Sequence, residues 1–168
     1  MADDHDAGTD GPAGEDKPIP ADEWEVIVRN VPIVSVDLVV RHDGGVVLGK
    51  RTNRPALGEW FVPGGTVLKH ERLLDAVHRV AQEELGVTVR IERRLGVYEH
   101  FYDVADLPDV DGKHYVPVAY VVRTTEESAD FRPDDQHAAI RTFHSPFEEL
   151  DLHPYIRTYL EDAGLLAG

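Results

Sequence analysis

The order of segments predicts an α/β fold, a mixed β-sheet with helices packed on its faces, and three observations carry that prediction. VPIVSVDLVV (31–40) is a strongly apolar, β-branched run. GGTVLKHERLLDAVHRVAQEELGV (64–87) carries helical periodicity after a glycine pair. Strand-like runs then flank a long polar loop before the chain closes on a helical segment. With 168 residues, 42% of them apolar, the chain suits one domain with a real core.

Residues 1–20 are acidic, rich in Gly and Pro, and almost free of large apolar side chains. Such a segment cannot offset the entropy of ordering, so a disordered tail is expected there and a folded domain over 21–168. ADEWEVIVRN (21–30) suits a short helix opened by Asp22, and the strand that follows contains one acid, Asp37. HDGG (42–45) reads as a hairpin turn in which Gly supplies positive φ, and VVLGKR (46–51) returns as the second strand. The loop TNRPALGE (52–59) leads to the short apolar WFV (60–62) and a PGG break (63–65) ahead of the central helix. VTVRIERRLGVYEHFY (87–102) and HYVPVAYVVR (114–123) have strand composition, with DVADLPDVDGK (103–113) looping between them. AAIRTFH (138–144) is a weaker strand, and PFEELDLHPYIRTYLEDAG (146–164) supplies the closing helices.

Composition narrows the partners. Formal charge is −15, from 32 acids against 17 bases, and nucleic-acid backbones and anionic membranes repel such a surface. Only four of the bases are Lys: Lys17, Lys50, Lys69 and Lys113. An acidic, Lys-poor surface also suits a salt-rich cytoplasm, where dense carboxylates stay hydrated and their repulsion is screened. That hypothesis expects unfolding at low salt and recovery in molar KCl; indifference to salt sinks it. There are no cysteines, so disulfides and thiolate metal sites are excluded and any metal takes oxygen or imidazole. No apolar run approaches a membrane span, and the first twenty residues lack the basic start and apolar centre of a signal peptide. A cytoplasmic location is expected.

In the central helix, at roughly 100° per residue, Leu74, Val77, Ala81 and Leu85 fall on one stripe, which should pack on the sheet. Beside it Arg79, Val80, Glu83 and Glu84 share a second arc within roughly 140°. Gly64 and Gly65 ahead of the helix allow the backbone close to a ligand. The bland reading is an amphipathic helix whose acids face solvent and pair with Arg79; chance would then have to place the glycines as well as the charges.

The spacing resembles the Nudix hydrolase box: a Gly, five residues, Glu, seven residues, then Arg-Glu-apolar-any-Glu-Glu-any-Gly-apolar. Gly65, Glu71, Arg79, Ala81, Glu83, Glu84, Gly86 and Val87 match in register, and Val80 is the single departure. Most Nudix enzymes attack phosphorus and use several box carboxylates to hold divalent ions and activate water. The GDP-mannose mannosyl hydrolase branch is known instead for attack at the sugar's anomeric carbon, with a reduced metal site. The likeness to that branch extends to VPIVSVDLVV, LGKRTNRPALGEWFVPGG, GVYEHFYD, the pair His114–Tyr115 and PDDQH (133–137), together most of residues 24–160. If carbon is attacked, the metal need only stabilise a departing diphosphate, and fewer carboxylates are needed.

The resemblance implies a Nudix α/β/α sandwich and a set of site residues. A box Glu, a Gly carbonyl and a distal-loop Gln hold the metal in that branch, and by motif these fall on Glu84, Gly64 and Gln136. All-oxygen ligation with retained substrate phosphates suits Mg²⁺, with Mn²⁺ as a substitute. Glu83 is either an acceptor supporting Arg79 or a ligand to another ion. His137 is the expected general base, a surface-loop His being the bland alternative. Asp37 is expected at the sugar or diphosphate, against a structural ion pair. Arg51 and Arg79 match arginines that steady the leaving group, and Arg79 also has a structural role available through Glu83. His100 and Tyr115 match substrate hydrogen-bonding positions, against packed aromatics on strands. A homodimer is implied as well. Thr66 stands where the branch has an Arg, so leaving-group stabilisation should be poorer unless another base such as Lys69 compensates.

The function so implied is Mg²⁺-dependent hydrolysis of a GDP-sugar, GDP-mannose above all, to GDP and free sugar with inversion. Two other readings stand beside it. One is a Nudix diphosphatase attacking phosphorus, which Val80 argues against; the other is a non-catalytic nucleotide-sugar sensor, which Glu84, Gln136 and His137 argue against.

Overall fold

The computed structural model of the protein describes residues 19–52, 56–131, 137–147 and 150–166. The expected tail falls almost wholly outside these. Eleven elements follow in order among them: α1 (Ala21–Asn30), β1 (Ile33–His42), β2 (Gly45–Arg51), β3 (Trp60–Phe61), β4 (Gly64–Thr66), α2 (Leu73–Leu85), β5 (Val89–Val97), β6 (His100–Tyr102), β7 (Lys113–Thr124), β8 (His137–Phe143) and α3 (Pro154–Asp162).

The strands form one mixed sheet in the order β3-β2-β1-β7-β5, with β4 added to β1, β6 to β7 and β8 to β2. Only β1 and β7 run parallel; they pair over nine residues from Ile33–Tyr115 to Arg41–Arg123. Alternation along β1 divides the core between two layers. Val36, Leu38 and Val40 meet α2, whereas Val39 meets the α3 side with Ile156, Tyr159 and Leu160. Asp37 shares the odd-numbered register of Val39 and therefore faces α3. A third cluster, Trp24, Val28 and Ile33, seats α1 against the start of β1.

Several expectations change in detail. Asp22 does not cap α1: Pro20 occupies the cap position, and Asp22 lies in the first turn beside Glu23, where the helix dipole favours acids. PGG is no break, because Gly64–Thr66 pairs antiparallel with β1. Leu74, assigned to the buried stripe, is 52% exposed; Leu73 packs on the core in its place. The buried arc of α2 runs through Ala76, Val77, Val80, Ala81, Glu84 and Leu85, shifted toward the arc expected to face the ligand. A single closing helix, α3, stands where several were expected among the described residues. The turn after β1 is as predicted, with Asp43 and Gly44 both at positive φ (46° and 74°), the two-residue geometry that matches strand twist.

Candidate active site

The site is built where β4 runs beside β1. Leu38 N–H bonds the Pro63 carbonyl at 2.8 Å, and Val67 N–H bonds the Val34 carbonyl at 2.9 Å. In an antiparallel ladder hydrogen-bonded and non-hydrogen-bonded pairs alternate, so Asp37–Gly64 and Ser35–Thr66 are pairs of the second kind. Side chains approach most closely there. Any Cβ on Gly64 would overlap Oδ1 of Asp37 as it is oriented here, so a larger residue would have to displace this carboxylate. The N–H and C=O of Gly64 point away from β1. Its N–H faces Glu84 Oε2 at 3.4 Å, and its carbonyl opens to the same side, where β4 has no other strand among the described residues.

Glu84 comes from α2, is 9% exposed, and stands 3.9 Å from His137 Nε2. His137 reaches it because of an irregularity in the β2–β8 pairing: Lys50 opposes Ala139, yet Arg51 opposes His137. Ala138 is the extra residue of this bulge. Without it, His137 would alternate onto the α3 face; the bulge moves it onto the α2 face, which also holds Ile140 and the bare Gly49. The imidazole, 5% exposed, lies so close over Gly49 that a Cβ there would overlap the ring. Gly49→Ala is therefore expected to displace His137 and lower turnover about tenfold or more while the protein stays folded; steady-state kinetics beside a urea unfolding curve check this, and parent-like kinetics would contradict it.

Arg79 is a brace. Its guanidinium holds Glu71 through Nε at 2.6 Å and Nη2 at 3.0 Å, Glu83 through Nη1 at 3.0 Å, and the Thr66 carbonyl through Nη2 at 2.8 Å. Glu71 also accepts the Leu68 N–H at 2.9 Å. The Arg79 guanidinium beside Glu71 holds that carboxyl below its ordinary value. These bonds fasten β4 and the following loop to α2 and give Arg79 the structural role available to it through Glu83, extended to Glu71 and Thr66. Exposed Glu83 makes the contact with Arg79 that one of its two expected roles requires.

On the α3 face Asp37 Oδ2 accepts a 2.6 Å hydrogen bond from Tyr159, whose hydroxyl lies 3.3 Å from His100 Nε2. Desolvation raises the Asp37 carboxyl to about 6, against the opposing pull of the Tyr159 hydrogen bond and the nearby Arg51 charge. Burial, with the neighbouring His153, lowers His100 to about 4. His100 is 3% exposed beneath a parallel Tyr155 ring. Tyr115 pairs with His100 across the ladder and joins the α1 cluster, near Tyr102 and Lys113. Gln136 lies outside the described residues. Sequence reasoning did not single out Tyr155, Tyr159 or Gly49; the recurrence of Tyr at i and i+4 in the last helix is the only local trace of the tyrosines.

Asp37 and His100 act on stability with opposite signs. The raised carboxyl stabilises the fold below about pH 4 and loses that contribution as pH rises through about 6. The depressed imidazole contributes above its ordinary value near 6.5 and loses it as pH falls toward about 4. Asp37→Asn removes the first effect alone. Its urea midpoint in metal-free buffer should therefore gain on the parent as pH rises from about 4 to above 6, and a constant offset would contradict the assignment.

The groups that could hold a metal here are oxygens: the Glu84 carboxylate and the outward Gly64 carbonyl. No group of three or more His, Asp or Glu that could hold a metal occurs among the described residues. Such a set fits an ion that keeps water and substrate oxygens in its shell, as Mg²⁺ does, better than one needing a full protein cage.

A mixed sheet between helices, with a glycine pair and a helix carboxylate converging at one strand, defines an α/β sandwich with a candidate oxygen-donor site. The NUDIX domain profile matches residues 31–163, and the chain belongs to that family. Nudix hydrolases act on nucleotide or sugar-nucleotide substrates and typically use divalent ions such as Mg²⁺. The chain is 56% identical over 149 residues to the low-salt glycan biosynthesis protein Agl8 of Haloferax volcanii, covering 87% of this chain and 93% of that one. It is 33% identical over 92 residues to an ADP-ribose pyrophosphatase of Methanocaldococcus jannaschii, over 54% of this chain and only 50% of that protein. Among solved structures, a MutT NUDIX hydrolase from Burkholderia pseudomallei superposes with a TM-score of 0.59 at 29% identity, covering 78% of this chain and 97% of that one. The MutT protein from Methanosarcina mazei gives 0.60 at 25% identity, over 77% and 91%.

Proposed function

We propose that this Nudix hydrolase cleaves a GDP-sugar, with GDP-mannose the first substrate to test, to GDP and free sugar by attack of water at the anomeric carbon. The observation that carries the reading is Val80. It is 1% exposed within the α2 core, where its Cγ2 lies 2.8 Å from the position a Cβ on Gly65 would take. One box position that holds a carboxylate in other members is thus given over to packing. Glu84 remains beside Gly64 and His137, with Gln136 proposed as the further oxygen ligand.

A bound Mg²⁺, or Mn²⁺ in its place, would supply charge to the departing diphosphate. His137 Nε2 faces Glu84 across 3.9 Å, a gap that one water can bridge. In the proposed step the water oxygen bonds to the anomeric carbon and its proton passes to His137 Nε2. The carbon–oxygen bond to GDP breaks, and GDP leaves with the electron pair. Attack opposite the leaving group inverts the anomeric centre. Arg51, opposite His137 in the ladder and near Asp37, is the arginine assigned to the diphosphate; Arg79 acts through its brace. Asp37 is assigned to the sugar, and Tyr115 to the same end of the site. The glycan-biosynthesis name of the Haloferax relative supports a sugar-nucleotide substrate. A homodimer belongs to the same proposal and is read by light scattering.

Hydrolysis in oxygen-18 water tests the bond cleaved. Label in free mannose with unlabelled GDP supports attack at carbon. Label in GMP or mannose phosphate assigns attack to phosphorus, the reading favoured by the name of the Methanocaldococcus relative. Binding without turnover would identify a sensor.

A further inference from the structure

α3 carries Tyr155 and Tyr159 four residues apart, on one helix face, and both reach strands at the site. The Tyr155 hydroxyl accepts the Phe101 N–H at 2.9 Å and donates to the Phe101 carbonyl at 3.0 Å, closing two backbone groups of β6. Its ring lies on His100 at 3.9 Å and 5°. Tyr159 packs edge-on against Tyr98 at 4.8 Å, and Tyr98 returns to α3 through a 2.7 Å bond to Asp162. The Tyr159 ring is thus held on several sides before its hydroxyl is considered.

That hydroxyl has one proton, and it goes to Asp37 Oδ2. His100, the neighbour at 3.3 Å, then meets the Tyr159 oxygen with a protonated Nε2, a tautomer assigned from the network. Asp37 is left with Oδ1 against Gly64, the residue whose N–H faces Glu84. The terminal torsion of an aspartate is broad, so nothing intrinsic to the side chain chooses this orientation.

We propose that Tyr159 is a positioning residue: by fixing Oδ2 of Asp37 it keeps Oδ1 turned to Gly64, ready to accept a hydroxyl of the nucleotide sugar. The nature of that hydroxyl rests on the proposed function, whereas the orienting bond does not. With the Tyr159 hydroxyl removed, Oδ2 loses the bond that fixes it, and the carboxylate can turn about its broad terminal torsion.

Tyr159→Phe keeps the ring and deletes the bond, and it is compared with Asp37→Asn and the double variant. On the nucleotide sugar the parent turns over, Tyr159→Phe should lower kcat/KM about tenfold or more, chiefly through KM, while the protein stays folded with a urea midpoint lowered only as far as one lost buried hydrogen bond accounts for. In the Asp37→Asn background the same change should cost less than about twofold, since the group it acts through is gone. Equal losses in both backgrounds, or parent-like kinetics, would overturn the proposal. A crystal structure of Tyr159→Phe gives a second reading independent of activity. The Asp37 carboxylate turned from Gly64 supports the proposal, and an unchanged rotamer overturns it. Failure of the proposed reaction shows separately, in the products of the parent.

Discussion

Replacing His137 with Gln lowers turnover of the nucleotide sugar by about a hundredfold or more and leaves KM within about threefold. Gln keeps a polar side chain of similar reach over Gly49 but has no nitrogen lone pair to take a proton near neutral pH. The bulge at Ala138 commits His137 to the face of Glu84, so its loss removes the one imidazole that meets this carboxylate among the described residues. A loss confined to KM would move His137 from proton transfer to substrate binding, and unchanged turnover would remove it from the reaction. The hundredfold corresponds to about 2.7 kcal/mol of transition-state stabilisation, the usual range for a general base.

Val80→Glu, the change that restores the full Nudix box, lowers the stability of the metal-free protein by about 2–5 kcal/mol. Val80 belongs to the core cluster that holds Val36, Ala76, Val77 and Ala81, and its Cγ2 lies 2.8 Å from where a Cβ on Gly65 would stand. A longer, ionised side chain both overpacks that space and leaves a carboxylate without water. Urea unfolding at pH 7.5 in chelator reads the loss. A parent-like midpoint, together with a second Mn²⁺ bound per chain, would mean that the helix still accepts its missing acid and that Val80 does not mark a lighter metal site.

Strand and helix order was legible because each segment carries its own period. The β-branched run before His42 and the glycine-flanked turn produce β1 and β2 with little help from elsewhere. The α2 face was less legible. Its periodicity could be satisfied about Leu74 or about Val80, and only packing against β1 and β4 chose the arc containing Val80 and Glu84. Arg79 was legible as a partner of Glu83 four residues on. Its two bonds to Glu71 and its bond to Thr66 required the β4 turn to fold back on the helix.

What the sequence alone determined is the chemistry that spacing encodes: a glycine pair before a helix, a box carboxylate at Glu84, and an acid in an apolar strand. The tertiary structure decided which groups meet. A strand alternates with period two, so one extra residue at Ala138 sends His137 to the opposite face, and no composition of β8 announces it. Tyr159 and Asp37 are 122 residues apart; their hydrogen bond exists because α3 packs under β1, and a contact made by packing leaves no period in either segment.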